Sequence, residues 1–319
     1  MSAPKDYYAR FYNAGQRTLN ALQNKILELK KERHAIILGH NYQRKEVQEI
    51  SDFLGDSYGL SVQASKTDAK VIVFCGVDFM AESAKILNPN KLVLHPNLKA
   101  KCPMAAMVDA KSLRELKAEH PGAPVVSYVN TSAEVKAETD ICCTSANAVK
   151  IVQSLPDKKI IFVPDTNLGL YVQRFVKDKE LVLWPGYCPT HMNIVKEELV
   201  KLRKQHPAAE ILVHPECSPE VIDYADHAFS TEGIIRHVVS SPKMEFIIGT
   251  EENMIHRLRK EAPGKTYYAV PGATCPNMRE ISLEDVLASL EKLQFKIEIP
   301  ADILKRARAP LERMLAAGR

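Results

Sequence analysis

Three cysteines, Cys102, Cys188 and Cys275, are each followed directly by proline and stand 86 and 87 residues apart. Each comes after an apolar, strand-like run: Lys91 to His95, Glu180 to Trp184 and Lys265 to Val270. Thiols delivered from equivalent places in three similar units are expected to meet at one metal site. Structural zinc usually takes four ligands from closely spaced pairs, whereas these three are far apart in sequence. A fourth thiol would have to come from Cys75, Cys142, Cys143 or Cys217, and none of these repeats with the same spacing. A [4Fe-4S] cluster on three protein thiolates suits the count better. Its open iron is a Lewis acid able to take a substrate hydroxyl or carboxylate, which points to dehydration chemistry.

Acid, base and anion-binding side chains recur beside the same repeat. Ile36 to Asn41 aligns with Val125 to Asn130 and with Ile211 to Glu216, which matches Gly39 with Tyr128 and His214, and Asn41 with Asn130 and Glu216. His40, Tyr42, Tyr128, His214 and Glu216 are the candidates for proton transfer or for donation to a developing oxyanion. A carboxylate such as Glu216 in a dry cavity can be raised toward a neutral pKa. Asp56-Ser57, Thr144-Ser145 and Ser230-Thr231 each come just before a helical pattern, where N–H groups and hydroxyls hold anions. Ser57 as a plain N-cap is compatible with that role. Lys99 and Lys101 beside Cys102 would favour a thiolate, although solvated lysines are equally expected there. His191, three residues past Cys188, has no histidine counterpart at Ala105 or Met278 and is expected at the surface or supporting the ligand from behind.

The elements that must position these groups follow from the same repeat. Each unit reads strand, helix, strand, helix, strand, helix. The runs Ala35 to Leu38, Val71 to Phe74 and their equivalents lack charge and alternation, as parallel strands covered on both faces should. The expected fold is α/β: three homologous three-layer units with parallel sheets around a pseudo-threefold axis. Residues 1–120 would hold an N-terminal helix, from about Ala14 to Arg33, and the first unit. Residues 121–206 would form the second unit, and residues 207–319 the third with the C-terminal helices.

Composition limits the function classes. With 45% hydrophobic and 26% charged residues, the 319-residue chain is that of an ordinary soluble globular protein. A formal charge of +4, without a dense basic run, makes a nucleic-acid partner unexpected. No bilayer-length apolar stretch or signal-like leader is seen, so a cytoplasmic location is expected. There, seven cysteines read as ligands and small buried residues rather than as disulfides. Gly-x-Gly-x-x-Gly and phosphate-loop motifs are missing, which leaves nucleotide-driven chemistry without support.

His40-Asn41-Tyr42-Gln43, Gly55-Asp56-Ser57, Tyr128-Val129-Asn130-Thr131, Cys142-Cys143-Thr144-Ser145-Ala146-Asn147, Pro164-Asp165, His214-Pro215-Glu216-Cys217 and Ser230-Thr231-Glu232-Gly233 together resemble the quinolinate synthase family, the A proteins of NAD biosynthesis. The resemblance covers nearly the whole chain. It implies a [4Fe-4S] cluster on Cys102, Cys188 and Cys275 at the junction of three α/β domains. The implied substrates are iminoaspartate, supplied by an aspartate-oxidising enzyme, and dihydroxyacetone phosphate, condensed to quinolinate with release of phosphate and water. It further suggests Tyr42 near the keto-enol step and Glu216 near the cluster-bound intermediate, with His40, Asp56, Ser57, Tyr128, Asn130, Ser145, His214 and Thr231 about the substrate. Some members carry Cys-x2-Cys-x2-Cys at the last ligand, whereas this chain has only Cys275 there, which puts a disulfide switch in doubt. Another cluster-dependent hydro-lyase and a non-catalytic three-unit metal-binding protein are the competing readings. Product analysis separates the first, and the second has no use for Glu216 and paired tyrosines facing a metal.

Overall fold

The computed structural model describes residues 20–318. Helix α1 (Ala21–Glu32) opens on a capping box between Asn20 and Gln23; the first residues of the helix expected from Ala14 lie outside the described part. The first unit then runs β1 (Ala35–His40), α2 (Lys45–Ile50), β2 (Phe53–Gly55), α3 (Ser57–Lys66), β3 (Val71–Cys75), α4 (Asp78–Leu87), β4 (Leu92–Leu94) and α5 (Ala110–Glu119). The second comprises β5 (Val125–Tyr128), α6 (Ala133–Lys136), β6 (Ile141–Cys143), α7 (Ala148–Ser154), β7 (Lys159–Val163), α8 (Thr166–Gln173), β8 (Glu180–Leu183), α9 (Pro189–Met192) and α10 (Lys196–Gln205). The third has β9 (Glu210–Val213), α11 (Pro219–Tyr224), β10 (His227–Ala228), α12 (Thr231–Ser240), β11 (Glu245–Gly249), α13 (Met254–Glu261), β12 (Thr266–Ala269) and α14 (Leu283–Lys292). Helix α15 (Ala301–Ala317) ends the described chain.

Each unit is a four-stranded sheet of one topology, β2-β1-β3-β4, β6-β5-β7-β8 and β10-β9-β11-β12, with every pair parallel. Three flanked parallel sheets make the chain an α/β protein, as expected. The sequence pattern shows three strands per unit, and the structure corrects this to four. The extra strands β2, β6 and β10 have only two or three residues, too few for alternation to register.

These short strands fix the register between units. His40 pairs with Gly55, one residue before Asp56, and Tyr128 pairs with Cys143, one before Thr144. In the third sheet Val213 pairs with Ala228, so His214 is the residue one step further on. The counterpart of Tyr128 and His214 is therefore His40 rather than Gly39, and the counterpart of Glu216 is Tyr42 rather than Asn41. Unalternating apolar runs carry no register of their own, and pairing to a neighbour supplies it.

The helix after each cysteine loop leaves its own sheet. Leu113 of α5 is buried with Val125, Ile161 and Val163 of the second sheet. Leu199 of α10 is buried with Ile211, Val213 and Ile247 of the third. Leu283, Val286 and Leu290 of α14 return to Ile37, Val71 and Val73 of the first, beside Ile26 of α1. A further cluster links Leu38 and Phe74 with Val126, Phe162, Leu212 and Phe246, one core reaching all three sheets. Helix α15 buries Ala307, Leu311 and Met314 completely and touches α4, α6 and β6, tying the first unit to the second. Among the described residues no helix is long and apolar enough to cross a membrane.

Candidate active site between the three units

Parallel sheets present ligand-binding groups beyond the carboxyl ends of their strands, where the strand order reverses. In all three sheets that place is the end of β1, β5 and β9, and the loops there converge on one cavity of about 270 Å³. The three cysteines, His40, Tyr42, Asp56, Ser57, Tyr128, Asn130, Ser145, His214, Glu216 and Thr231 line it, whereas Asn41 and Ser230 do not. Cys75, Cys142, Cys143 and Cys217 are fully buried elsewhere, whereas Cys102, Cys188 and Cys275 are partly exposed.

The three cysteine loops are built alike. The backbone N–H three residues on, from Ala105, His191 or Met278, faces each sulfur. Each cysteine's own N–H faces a carboxylate just past the second long strand of its unit. Cys102 N–H donates to Asp78 at 3.1 Å, and Cys188 and Cys275 turn theirs toward Asp165 and Glu251. Asp165 also caps α8, while Asp78 is the first residue of α4. Burial pushes all three thiols up, with Glu216 adding to the effect at Cys102 and Cys188. Thiolates become stable there only beside a positive centre. Three convergent soft donors, close enough for Cys102 to interact with both others, fit a thiolate-bound metal centre. Cys188 Sγ, a His191 nitrogen and a Glu216 oxygen also lie within 4.8 Å of one another. Lys99 and Lys101 are exposed and do not line the cavity.

Beside the thiols, the polar side chains form a continuous chain. Tyr42 Oη lies 2.5 Å from Thr250 Oγ1, which lies 2.8 Å from His191 Nε2. His191 Nδ1 is 2.8 Å from Glu216 Oε2, and Tyr128 Oη donates to Glu216 Oε1 at 2.5 Å. With the proton of His191 on Nδ1, every link has a donor and an acceptor. His191 is 2% exposed, which leaves the expected role of supporting the ligand from behind and removes the surface alternative. Its Nδ1 also lies 3.2 Å from Cys188 Sγ, and its ring stacks on His214 at 4.6 Å. Thr250 was invisible in the sequence because it reads as the end of the apolar run β11.

Burial sets the protonation states. His40 and His214 are pushed down to about 3 by desolvation, despite the nearby Glu216 charge. Tyr42 and Tyr128 are raised well above the ordinary phenol range by burial and then by Glu216. For Glu216 burial acts upward, but the imidazoles of His214 and His191 and the bonds from His191 and Tyr128 outweigh it. The carboxylate is thus held below its usual range, opposite to the expectation of a raised acid.

The helix starts supply hydroxyls. Asp56, not Ser57, caps α3 through Gly59 N at 2.7 Å, and Ser230 caps α12. Ser57 and Thr231 are left at the first helical turn facing the cavity. Asn41 points away from the centre, donating to Thr231 Oγ1 at 3.0 Å and to Glu232 Oε1 at 3.3 Å. Ser145 Oγ lies 3.2 Å from His214 Nε2. Asn130 Oδ1 is buried with no hydrogen-bond partner among the described residues, an acceptor site open to a ligand.

The family model described as quinolinate synthetase A protein matches residues 24–316. Quinolinate synthase 1 of Methanosarcina acetivorans is 53% identical over 296 residues, which is 92% of this chain and 97% of that protein. The quinolinate synthase of Geotalea uraniireducens is 54% identical over 299 residues, 93% and 98% respectively, and that of Thermodesulfovibrio yellowstonii 52% over 298 residues, again 93% and 98%. A match running through all three sheets and every cavity loop shows that the chain belongs to the quinolinate synthetase A protein family.

Proposed function

We propose that the protein is a quinolinate synthase of NAD biosynthesis. It condenses iminoaspartate, delivered by an aspartate-oxidising enzyme, with dihydroxyacetone phosphate, and releases phosphate and water. The observation that carries this reading is the single cavity joining three thiols to the hydrogen-bonded chain from Tyr42 to Tyr128. Cys102, Cys188 and Cys275 would hold a [4Fe-4S] cluster, with the three units about it in pseudo-threefold fashion. When bound, the cluster supplies a Lewis acid that makes a substrate hydroxyl a workable leaving group. A cytoplasmic location belongs to the same proposal, since thiols stay reduced there.

The chain's own residues divide the remaining work. Ser57, Ser145 and Thr231 hydroxyls, with Asn130, bind the anionic ends of the substrates, and the N–H groups of the helix starts add to their hold. Tyr42 and Tyr128 stay protonated and donate to oxygens that gain charge. Glu216 stays ionised, and His40 and His214 stay neutral, so these three present hydrogen-bond acceptors to the substrates. Thr250, His191 and Glu216 connect the two tyrosines, so that a proton given up by one can be replaced from the other.

The test is product analysis on anaerobically purified protein, with iron and sulfide counted in the same sample. Roughly four of each per chain and quinolinate from the two substrates are expected, and Cys188→Ala should lose both metal and product. An intact, active cluster in Cys188→Ala would overturn the ligand assignment. Dehydration of another hydroxy acid without quinolinate would overturn the reaction in favour of a different hydro-lyase.

A further inference from the structure

At the opposite end of β9 from His214, the side chains of Glu210, His227 and His237 turn toward one another. Glu210 Oε1 lies 3.2 Å from His227 Nε2, and Oε2 lies 2.8 Å from His237 Nε2. One ligand atom from each of the three falls within 4.8 Å of the others. None of these residues lines the catalytic cavity. We propose that Glu210, His227 and His237 form a second metal site, for a divalent first-row transition ion with zinc the best match.

Two imidazoles and one carboxylate, with an open position for water, are a recurrent donor set for such ions. Bonds of about 2.0–2.2 Å in a tetrahedral arrangement place neighbouring ligand atoms roughly 3.0–3.5 Å apart. The two contacts run to different oxygens of Glu210, and one ligand atom from each residue falls within 4.8 Å of the others, so rotation of the side chains would draw the three in about an ion. The rings are also held in place. Phe229 lies 5.2 Å from the centroid of each, nearly parallel to His227, and the two imidazoles are 4.6 Å apart. Side-chain exposure rises from 14% at Glu210 to 23% at His237 and 40% at His227, which leaves a solvent side for bound water.

The ligands come from three elements: Glu210 begins β9, His227 begins the two-residue strand β10, and His237 lies in the last turn of α12. An ion here fastens both ends of the segment from His227 to His237 to the central strand of the third sheet. That segment carries Ser230 and the cavity hydroxyl of Thr231. A metal clamp would therefore steady the Thr231 helix from outside the reaction chamber, and this holds whatever reaction the chamber performs.

The experiment uses tag-free, anaerobically reconstituted protein, so that the cavity thiols are already occupied. Cobalt(II) is titrated in, with the visible absorption of a four-coordinate ion as the readout, and zinc is followed by calorimetry and by the thermal midpoint. One ion per chain, a raised midpoint in zinc, and binding weakened by more than about tenfold in both His237→Gln and Glu210→Gln are expected, with iron content unchanged. Equal affinity in wild type and both variants would overturn the site. So would absence of binding by the wild type at millimolar zinc, which would leave the three side chains as a hydrogen-bonded cluster.

Discussion

Within the cavity, burial and the close charges and hydrogen bonds around Glu216 push ionisable side chains further apart in acidity than they are in water. Two phenols are kept as donors and one carboxylate and two imidazoles as acceptors. Thr250 has no charge, yet it is the only bridge described between Tyr42 and His191. Thr250→Val should keep iron and sulfide at wild-type levels while turnover falls roughly 10²–10⁴-fold, the usual span for lost proton transfer; unchanged turnover would remove the relay from the mechanism. His214 has a pH signature as well. The native state keeps it neutral down to about pH 3, whereas the unfolded chain takes up a proton near the ordinary value of about 6.5. Between these values the unfolded state binds more protons, so this residue costs stability as pH falls. Buried Glu82 and Glu251, raised to about 7 by desolvation, act in the opposite sense over part of the range, so the variant must be compared with wild type. His214→Asn should gain stability relative to wild type between pH 7.5 and pH 5 in urea unfolding, and a pH-independent difference would contradict a neutral buried imidazole.

At the scale of elements, the cysteine loops depend on close backbone approach. Gly186 precedes the Cys188 loop, and a β-carbon there would sit 2.3 Å from the carbonyl oxygen of Pro164. The neighbouring Asp165 holds both the start of α8 and the N–H side of Cys188. Gly186→Ala should therefore push β7 and the loop apart, lowering stability by roughly 1–3 kcal/mol and reducing the iron retained after gel filtration. Full iron retention would show that the loop tolerates the shift. The four-strand topology also explains why short strands matter out of proportion to their length. The pairings of β2 and β6, with the start of β10, set Tyr42, Asn130 and Glu216 at matching positions. The sequence could not show this, since two or three apolar residues before a helix start look like the end of a loop.

Across the whole molecule, each unit lends its last helix to the next sheet, and α14 closes the circuit on the first. Helix α15 adds a separate brace over the first two units. Leu311, fully buried on it, should on replacement by alanine cost about 2–5 kcal/mol, read as a lower urea midpoint. A loss below about 0.5 kcal/mol would mean that the brace is dispensable. The sequence alone determined the threefold repetition of α/β units, the three Cys-Pro loops and the polar groups at the ends of the first strands. These are readable because repeat spacing, apolar runs and helix-start residues are local properties. Tertiary structure decided the rest. It matched Tyr42 with Glu216, because unalternating strands take their register from a partner. It brought His191 and Thr250 between the tyrosines, because neither has a counterpart in the repeat. It sent α5, α10 and α14 to neighbouring sheets, because an apolar helix face does not name the surface that will cover it. It also fixed which groups hold protons, because desolvation and close charges exist only once the three units enclose the cavity.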